Sequence, residues 1–163
     1  MRSHLTELQD RGVLAAHVDP LWNVLSCNDL FRSAIPGLDQ TNCIPTSWLF
    51  TPLAREVLIE WEAETSRAIS TTWPVLARYR DSVQAHDIMR HLSANKEFRR
   101  LAQANTAVIY GRPSTSLLHV RNPDTGDIAS WRVAIADTGQ PQNLQLLIIT
   151  RKPYSGPPLT NST

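Results

Sequence analysis

The chain has no apolar run near the roughly 18 residues of a membrane helix, so no membrane span is expected. Its first residues, Met1-Arg2-Ser3-His4-Leu5-Thr6-Glu7, lack the apolar middle of a secretory signal. A cytoplasmic location is the resulting expectation. Cysteine is scarce, with only Cys27 and Cys43 among 163 residues. The pair shows neither a disulfide framework nor metal-ligand spacing, and both are read as packed or idle thiols. No charge of one sign dominates, since 16 Lys and Arg face 15 Asp and Glu for a net charge of +1. A DNA-binding surface usually shows a basic stripe. Here the basic groupings are only Lys96, Arg99 and Arg100 on one short helix and the pair Arg151–Lys152, read as solvated surface. No direct DNA binding by this chain alone is expected.

Motifs that carry chemistry are missing as well. There is no nucleophile elbow, no phosphate loop and no glycine-rich turn after a strand. His17, His86, His91 and His119 are scattered, and the offset of 86 to 91 does not place two imidazoles on one helix face. No catalytic residue, metal site or cofactor is expected. The acidic residues Glu56, Glu60 and Glu64 read as a solvated helix face.

What the chain does hold is bulk. Its hydrophobic fraction is 42%, and five residues are Trp. Rings of that size need a core or a ligand to lie against. At this length the chain fits a single domain that can bury a core without staples. Residues 1–12 read as a leader or linker remnant and 157–163 as a flexible tail, which leaves 13–156 as the folded domain. Within it, Asp19-Pro20 ends a first strand at 13–18, and a second follows at 21–27. Asn28 is placed to cap a helix over 29–34. Thr51-Pro52 starts a long helix whose stripe is Leu53, Val57, Trp61, Ala68 and Ile69, with Glu64 and Arg67 off it. Trp73-Pro74 is expected to break or kink that helix. Further helices run over 82–92 and 96–103. Strands near 116–121, 127–136 and 144–150 close the chain, and Trp131, Val133 and Ile135 share one face of the second of these. Strands, a helical block, then strands indicate an α+β domain.

Several words in this order are similar to one known family. The stretch Val18-Asp19-Pro20-Leu21-Trp22-Asn23-Val24-Leu25-Ser26-Cys27-Asn28 resembles the opening hairpin of MmyB-like ligand-binding domains. Trp48-Leu49-Phe50-Thr51-Pro52-Leu53-Ala54-Arg55-Glu56-Val57-Leu58-Ile59-Glu60-Trp61-Glu62 resembles the family's apolar pair and the helix after it. Glu97-Phe98-Arg99-Arg100-Leu101, Asn122-Pro123-Asp124-Thr125-Gly126-Asp127 and Thr150-Arg151-Lys152-Pro153-Tyr154-Ser155 match later family words. The resemblance covers roughly residues 13 to 156. It implies a PAS-like five-stranded antiparallel sheet with helices packed on one face. It also implies a sensor domain of bacterial helix-turn-helix regulators that binds fatty-acid-like apolar molecules.

Departures from the family pattern are visible. The helix-turn-helix reader is absent from this chain, so a separate partner carrying one, or a truncated regulator, is expected, and a homodimer is possible. Ala102-Gln103-Ala104-Asn105 stands where the family often has a Trp and a His-Asp pair, and Pro74 interrupts a helix it runs through. Ser130-Trp131-Arg132 alternates against the family's usual sense, which leaves open the face of 127–136 that lines the pocket.

With the resemblance, Trp22, Phe31, Trp48, Phe50, Trp61, Phe98, Trp131 and Val133 become candidate ligand-binding residues. Trp61 and Trp131 are expected to border one cavity, with Trp48 and Phe50 near its mouth. Arg132, Arg121 and Tyr110 are the candidates for a ligand's polar end. The rival reading is a fully packed core in a ligand-free PAS-like dimerisation module.

Overall fold

The computed structural model describes residues 2–104, 112, 115–140 and 143–160. Five strands, β1 (Leu14–Val18), β2 (Val24–Cys27), β3 (Leu117–Arg121), β4 (Ile128–Asp137) and β5 (Gln145–Lys152), form one antiparallel sheet. Their order is β2-β1-β5-β4-β3. The first and last strands of the chain therefore pair at the centre, with Leu14 opposite Ile149 and Ala16 opposite Leu147. This is the five-stranded antiparallel sheet of an α+β domain, as the order of elements and the family resemblance together implied. The middle strands are the most apolar because helices reach both of their faces, and all five residues of β1 are buried.

The opening hairpin is shorter than expected. Asp19 accepts hydrogen bonds from the backbone of Leu21 and Asn23 and from the Asn23 side-chain amide. Trp22 takes a left-handed backbone with φ of 68°. The turn thus consumes 19–23, and β2 begins at Val24 rather than at Leu21. Such local capture of backbone donors by an Asp side chain competes directly with strand pairing.

Seven α-helices are described: α1 (Arg2–Asp10), α2 (Asp29–Ala34), α3 (Pro45–Trp48), α4 (Pro52–Val57), α5 (Trp61–Arg78), α6 (Val83–Ser93) and α7 (Lys96–Ala104). Helices α2 to α7 share one apolar core with the sheet face carrying Leu14, Ala16, Val120, Trp131, Leu147 and Ile149. Helix α1 lies on the opposite face. Its Leu5, with Leu8 beside it, packs against Ala15, Leu146 and Ile148, the residues that alternate with the core-facing set. Arg2–Asp10, read from the sequence as leader, is therefore a helix applied to the back of the sheet.

The expected long helix is two helices. After Val57 the chain leaves the helical path: Leu58 bridges to Val120, and the Ile59 amide donates to the His119 carbonyl at 3.1 Å. Strand β3 is an edge with unpaired backbone groups, and this short stretch satisfies some of them. Helix α5 then starts at Trp61 and runs through Pro74 to Arg78, so Pro74 does not end it. Pro74 lacks the N–H that would have bonded the Ser70 carbonyl, a loss one helix turn can absorb. Ser82 and Asn95 cap α6 and α7 with side-chain oxygens, as their sequence positions suggest.

Candidate functional site

A cavity of about 980 Å³ lies between the sheet and the helices. The sheet contributes Leu118, Trp131, Val133, Ile135, Leu147 and Ile149 to its lining. Register explains why they converge: Trp131 stands opposite Leu118, Val133 opposite Ile149, and Ile135 opposite Leu147. Residues directly opposite in a ladder project to the same face. That settles the open question of strand face, since Trp131, Val133 and Ile135 form the cavity side of β4.

The facing wall is α5. Its cavity stripe runs Glu64, Arg67, Ala68, Thr71, Val75 and Arg78, at helical spacing. The middle of this stripe is small. Ala68, Thr71 and Val75 do not reach far enough to fill the gap to the sheet, while the larger Ile69 is buried in the helical core. Open space is the direct consequence of which side chains occupy which stripe. A third wall comes from the segment before α4, including Trp22, Phe31, Ile35, Thr46, Trp48 and Leu49. Trp48 donates its indole N–H to the Pro36 carbonyl at 2.7 Å, so its polar atom is satisfied and its ring is available as apolar lining. The volume lies near the top of the roughly 300–1,000 Å³ range of small-molecule sites, and an apolar lining with a few polar groups is their usual make-up.

The sequence of the chain matches the family described as MmyB-like transcription regulator ligand binding domain over residues 5–157. The chain belongs to that family. It is a family of regulator ligand-binding domains, not of enzymes. Comparison with curated proteins and with solved structures gave no match.

Five of the eight expected lining residues of this MmyB-like domain, Trp22, Phe31, Trp48, Trp131 and Val133, do line the cavity. Trp61, Phe50 and Phe98 do not. They form an aromatic cluster of their own, with Phe50 edge-on to Trp61 at 6.5 Å and to Phe98 at 5.7 Å, and Trp73 5.8 Å from Phe98. Trp61 also donates to the Leu49 carbonyl at 2.7 Å, and the Arg55 guanidinium covers its ring at 3.8 Å. The cause is the break at 58–60. Val57 and Trp61 share a face only if one helix continues, and interruption resets the phase, so Trp61 packs away from the cavity that Val57 lines.

The structure places two of the expected polar anchors away from the cavity. Arg132 alternates with Trp131 and Val133, and Arg121 with Val120, so both project from the opposite face of the sheet and are exposed. Tyr110 lies outside the described residues. The charged residues that do line the cavity are Glu64, Arg67, Arg78, Arg112 and Asp137. Arg112 donates to both carboxylate oxygens of Glu64, with Nη2–Oε1 at 3.0 Å, and the two side chains are only 16% and 11% exposed. Arg67 donates to the Ser116 hydroxyl at 2.9 Å. Glu64 and Arg67 read as solvent-facing from the sequence because their phase was taken from a helix starting at Pro52. Counting from Trp61 would have placed them on the stripe with Ala68 and Thr71.

One constellation invites a catalytic reading and does not sustain it. His119 Nδ1 is 2.8 Å from Ser130 Oγ, and its Nε2 is 3.7 Å from Glu60. Ser130, however, is fully buried, and its oxygen already accepts the Ser155 amide at 2.9 Å. It also alternates with Trp131, so it faces away from the cavity. The arrangement fastens the chain beyond β5 to the sheet and leaves no approach for a substrate. Among the described residues no three His, Cys, Asp or Glu side chains converge to hold a metal, and no helix is long and apolar enough to cross a membrane. Cys27 and Cys43 are free, and burial pushes both thiols above their ordinary pKa, which disfavours the reactive thiolate.

Proposed function

We propose that this domain is the sensor of a bacterial transcription regulator and that its ligand is a fatty-acid-like apolar molecule held between α5 and the sheet. The observation that carries this reading is the cavity itself: about 980 Å³, walled by Trp131, Val133, Ile135, Leu147 and Ile149 on one side and by small side chains of α5 on the other. A solvent-accessible cleft of that size keeps apolar surface against water until an apolar ligand displaces the water. An acyl chain of a dozen methylenes would gain on the order of 10 kcal/mol gross, at ~0.8 kcal/mol for each buried methylene. That exceeds many estimates of the association and ordering costs, so a useful affinity remains.

In this reading the domain works in the cytoplasm without duplex affinity of its own, and a helix-turn-helix, in the same regulator or on a partner, reads the DNA. Ligand entry changes the packing of α5 on the sheet, and that change is what a DNA reader or a second copy of the domain senses. Native mass spectrometry of the purified protein tests the reading. A co-purified species of a few hundred daltons that extracts into organic solvent and is identified as an acyl compound is the expected result. Protein that remains at its bare mass, and stays so after incubation with long-chain acids, would favour the ligand-free dimerisation module instead.

A further inference from the structure

The cavity wall holds more positive charge than its own carboxylates neutralise. Arg67, Arg78 and Arg112 line it against Glu64 and Asp137. Glu64 is committed, because both of its oxygens accept from Arg112. That pair is close to neutral as a unit. Arg67 stands one turn after Glu64 on the same helix face and is half-buried. Its hydrogen-bond partner is a neutral hydroxyl, that of Ser116, and among the described residues no carboxylate lies within ion-pair distance of it. A half-buried guanidinium without a counterion at the edge of an apolar cavity is a cost to the empty protein, and an entering anion relieves it.

The same wall holds a donor without a partner. Arg112 Nε is buried and has no hydrogen-bond partner among the described residues. Arg78, the third cation, is exposed near the end of α5, with its guanidinium 5.9 Å from the Tyr79 ring, so it carries no buried-charge cost to relieve. Directly after Arg67 the cavity stripe continues with Ala68 and Thr71, whose small side chains leave room for a chain leading away from the guanidinium.

From this charge balance we propose that Arg67 is the specificity-determining residue of the cavity. It anchors an anionic head group, so the site takes carboxylate-ended amphiphiles in preference to neutral ones of the same length. The proposal rests on the apolar-ligand reading above and adds to it the group that discriminates between ligands. The guanidinium suits the task because its planar donors match the two oxygens of a carboxylate.

Titration of the intrinsic fluorescence of Trp22, Trp48 and Trp131 with dodecanoic acid and with dodecanol provides the test. The wild-type protein should bind the acid on the order of tenfold or more tightly than the alcohol, as a charge-assisted hydrogen bond would give. Arg67→Met should erase that preference by weakening the acid alone, whereas Arg132→Met, on the opposite face of the sheet, should keep it. Equal binding of acid and alcohol by the wild type, or an undiminished preference in Arg67→Met, overturns the anchor and leaves the apolar cavity reading standing. Binding of neither compound by the wild type overturns both. If the Met variant does not fold, Arg67→Lys decides: a preference reduced severalfold supports the planar anchor, and an unchanged one contradicts it.

Discussion

Asn28 joins three elements through one amide. Its oxygen accepts from the Phe31 and Ala15 backbones, capping α2 and pinning β1, while its nitrogen donates to the Leu5 and Val13 carbonyls. The cap was legible in the sequence, because an Asn before a short helix has a local job; the other three bonds were not, since they depend on β1 and α1 being brought beside it. Trp61 shows the same limit from the other side. Its size and its place in an apolar stripe mark it as buried, but size says nothing of which apolar space it fills. The structure puts it among Phe50, Leu49 and Arg55. Trp61→Leu should therefore lower stability by about 2–3 kcal/mol, somewhat less than the roughly 3–5 kcal/mol of a Trp→Ala truncation in a core. Dodecanoic acid affinity should stay within about twofold of wild type. Urea unfolding together with a binding titration checks both, and lost affinity at unchanged stability would place Trp61 at the cavity after all.

At the scale of elements, α5 decides whether there is a site. A continuous helix from Pro52 would bring Trp61 onto the face shared with Val57. The detour at Leu58 and Ile59, drawn to the edge of β3, instead presents Ala68, Thr71 and Val75 to the sheet. This was hidden from sequence reading, because the competitor for those backbone groups lies some sixty residues away on β3 and no local signal announces it. Periodicity correctly gave the strands at both ends of the chain, where alternation is read within each strand. Ala68→Phe places one ring in the space that α5 leaves open. We expect unfolding stability to stay within about 1 kcal/mol of wild type or to rise, while acid affinity falls by at least an order of magnitude. In a fully packed core the same change should destabilise by about 1–3 kcal/mol through overpacking. Thermal melts and binding isotherms on the one variant separate the two cases.

Taken whole, the molecule is a sheet whose central strands come from the two ends of the domain, with the helical block laid across one face. β1 and β5 meet only when the intervening chain has folded over them, so filling the cavity and holding the sheet together are coupled through Leu147 and Ile149, which belong to both the lining and the core. The family and the sheet followed from short words in a fixed order, and the apolar character of the site followed from its aromatic residues. The charged wall did not, because a Glu and an Arg on a helix resemble any solvated face until the helix phase is known. An apolar acid held in this cavity binds the folded domain alone. The most direct test is the melting temperature of the purified, delipidated protein against increasing concentrations of long-chain acids. A ligand at a hundred times its dissociation constant adds about 2.7 kcal/mol to the folded state. For a domain of this size that is a rise of roughly 5–10 °C, saturating as the site fills. A melting temperature that stays fixed across the whole panel, at every concentration below micelle formation, would mean that no such acid occupies the cavity.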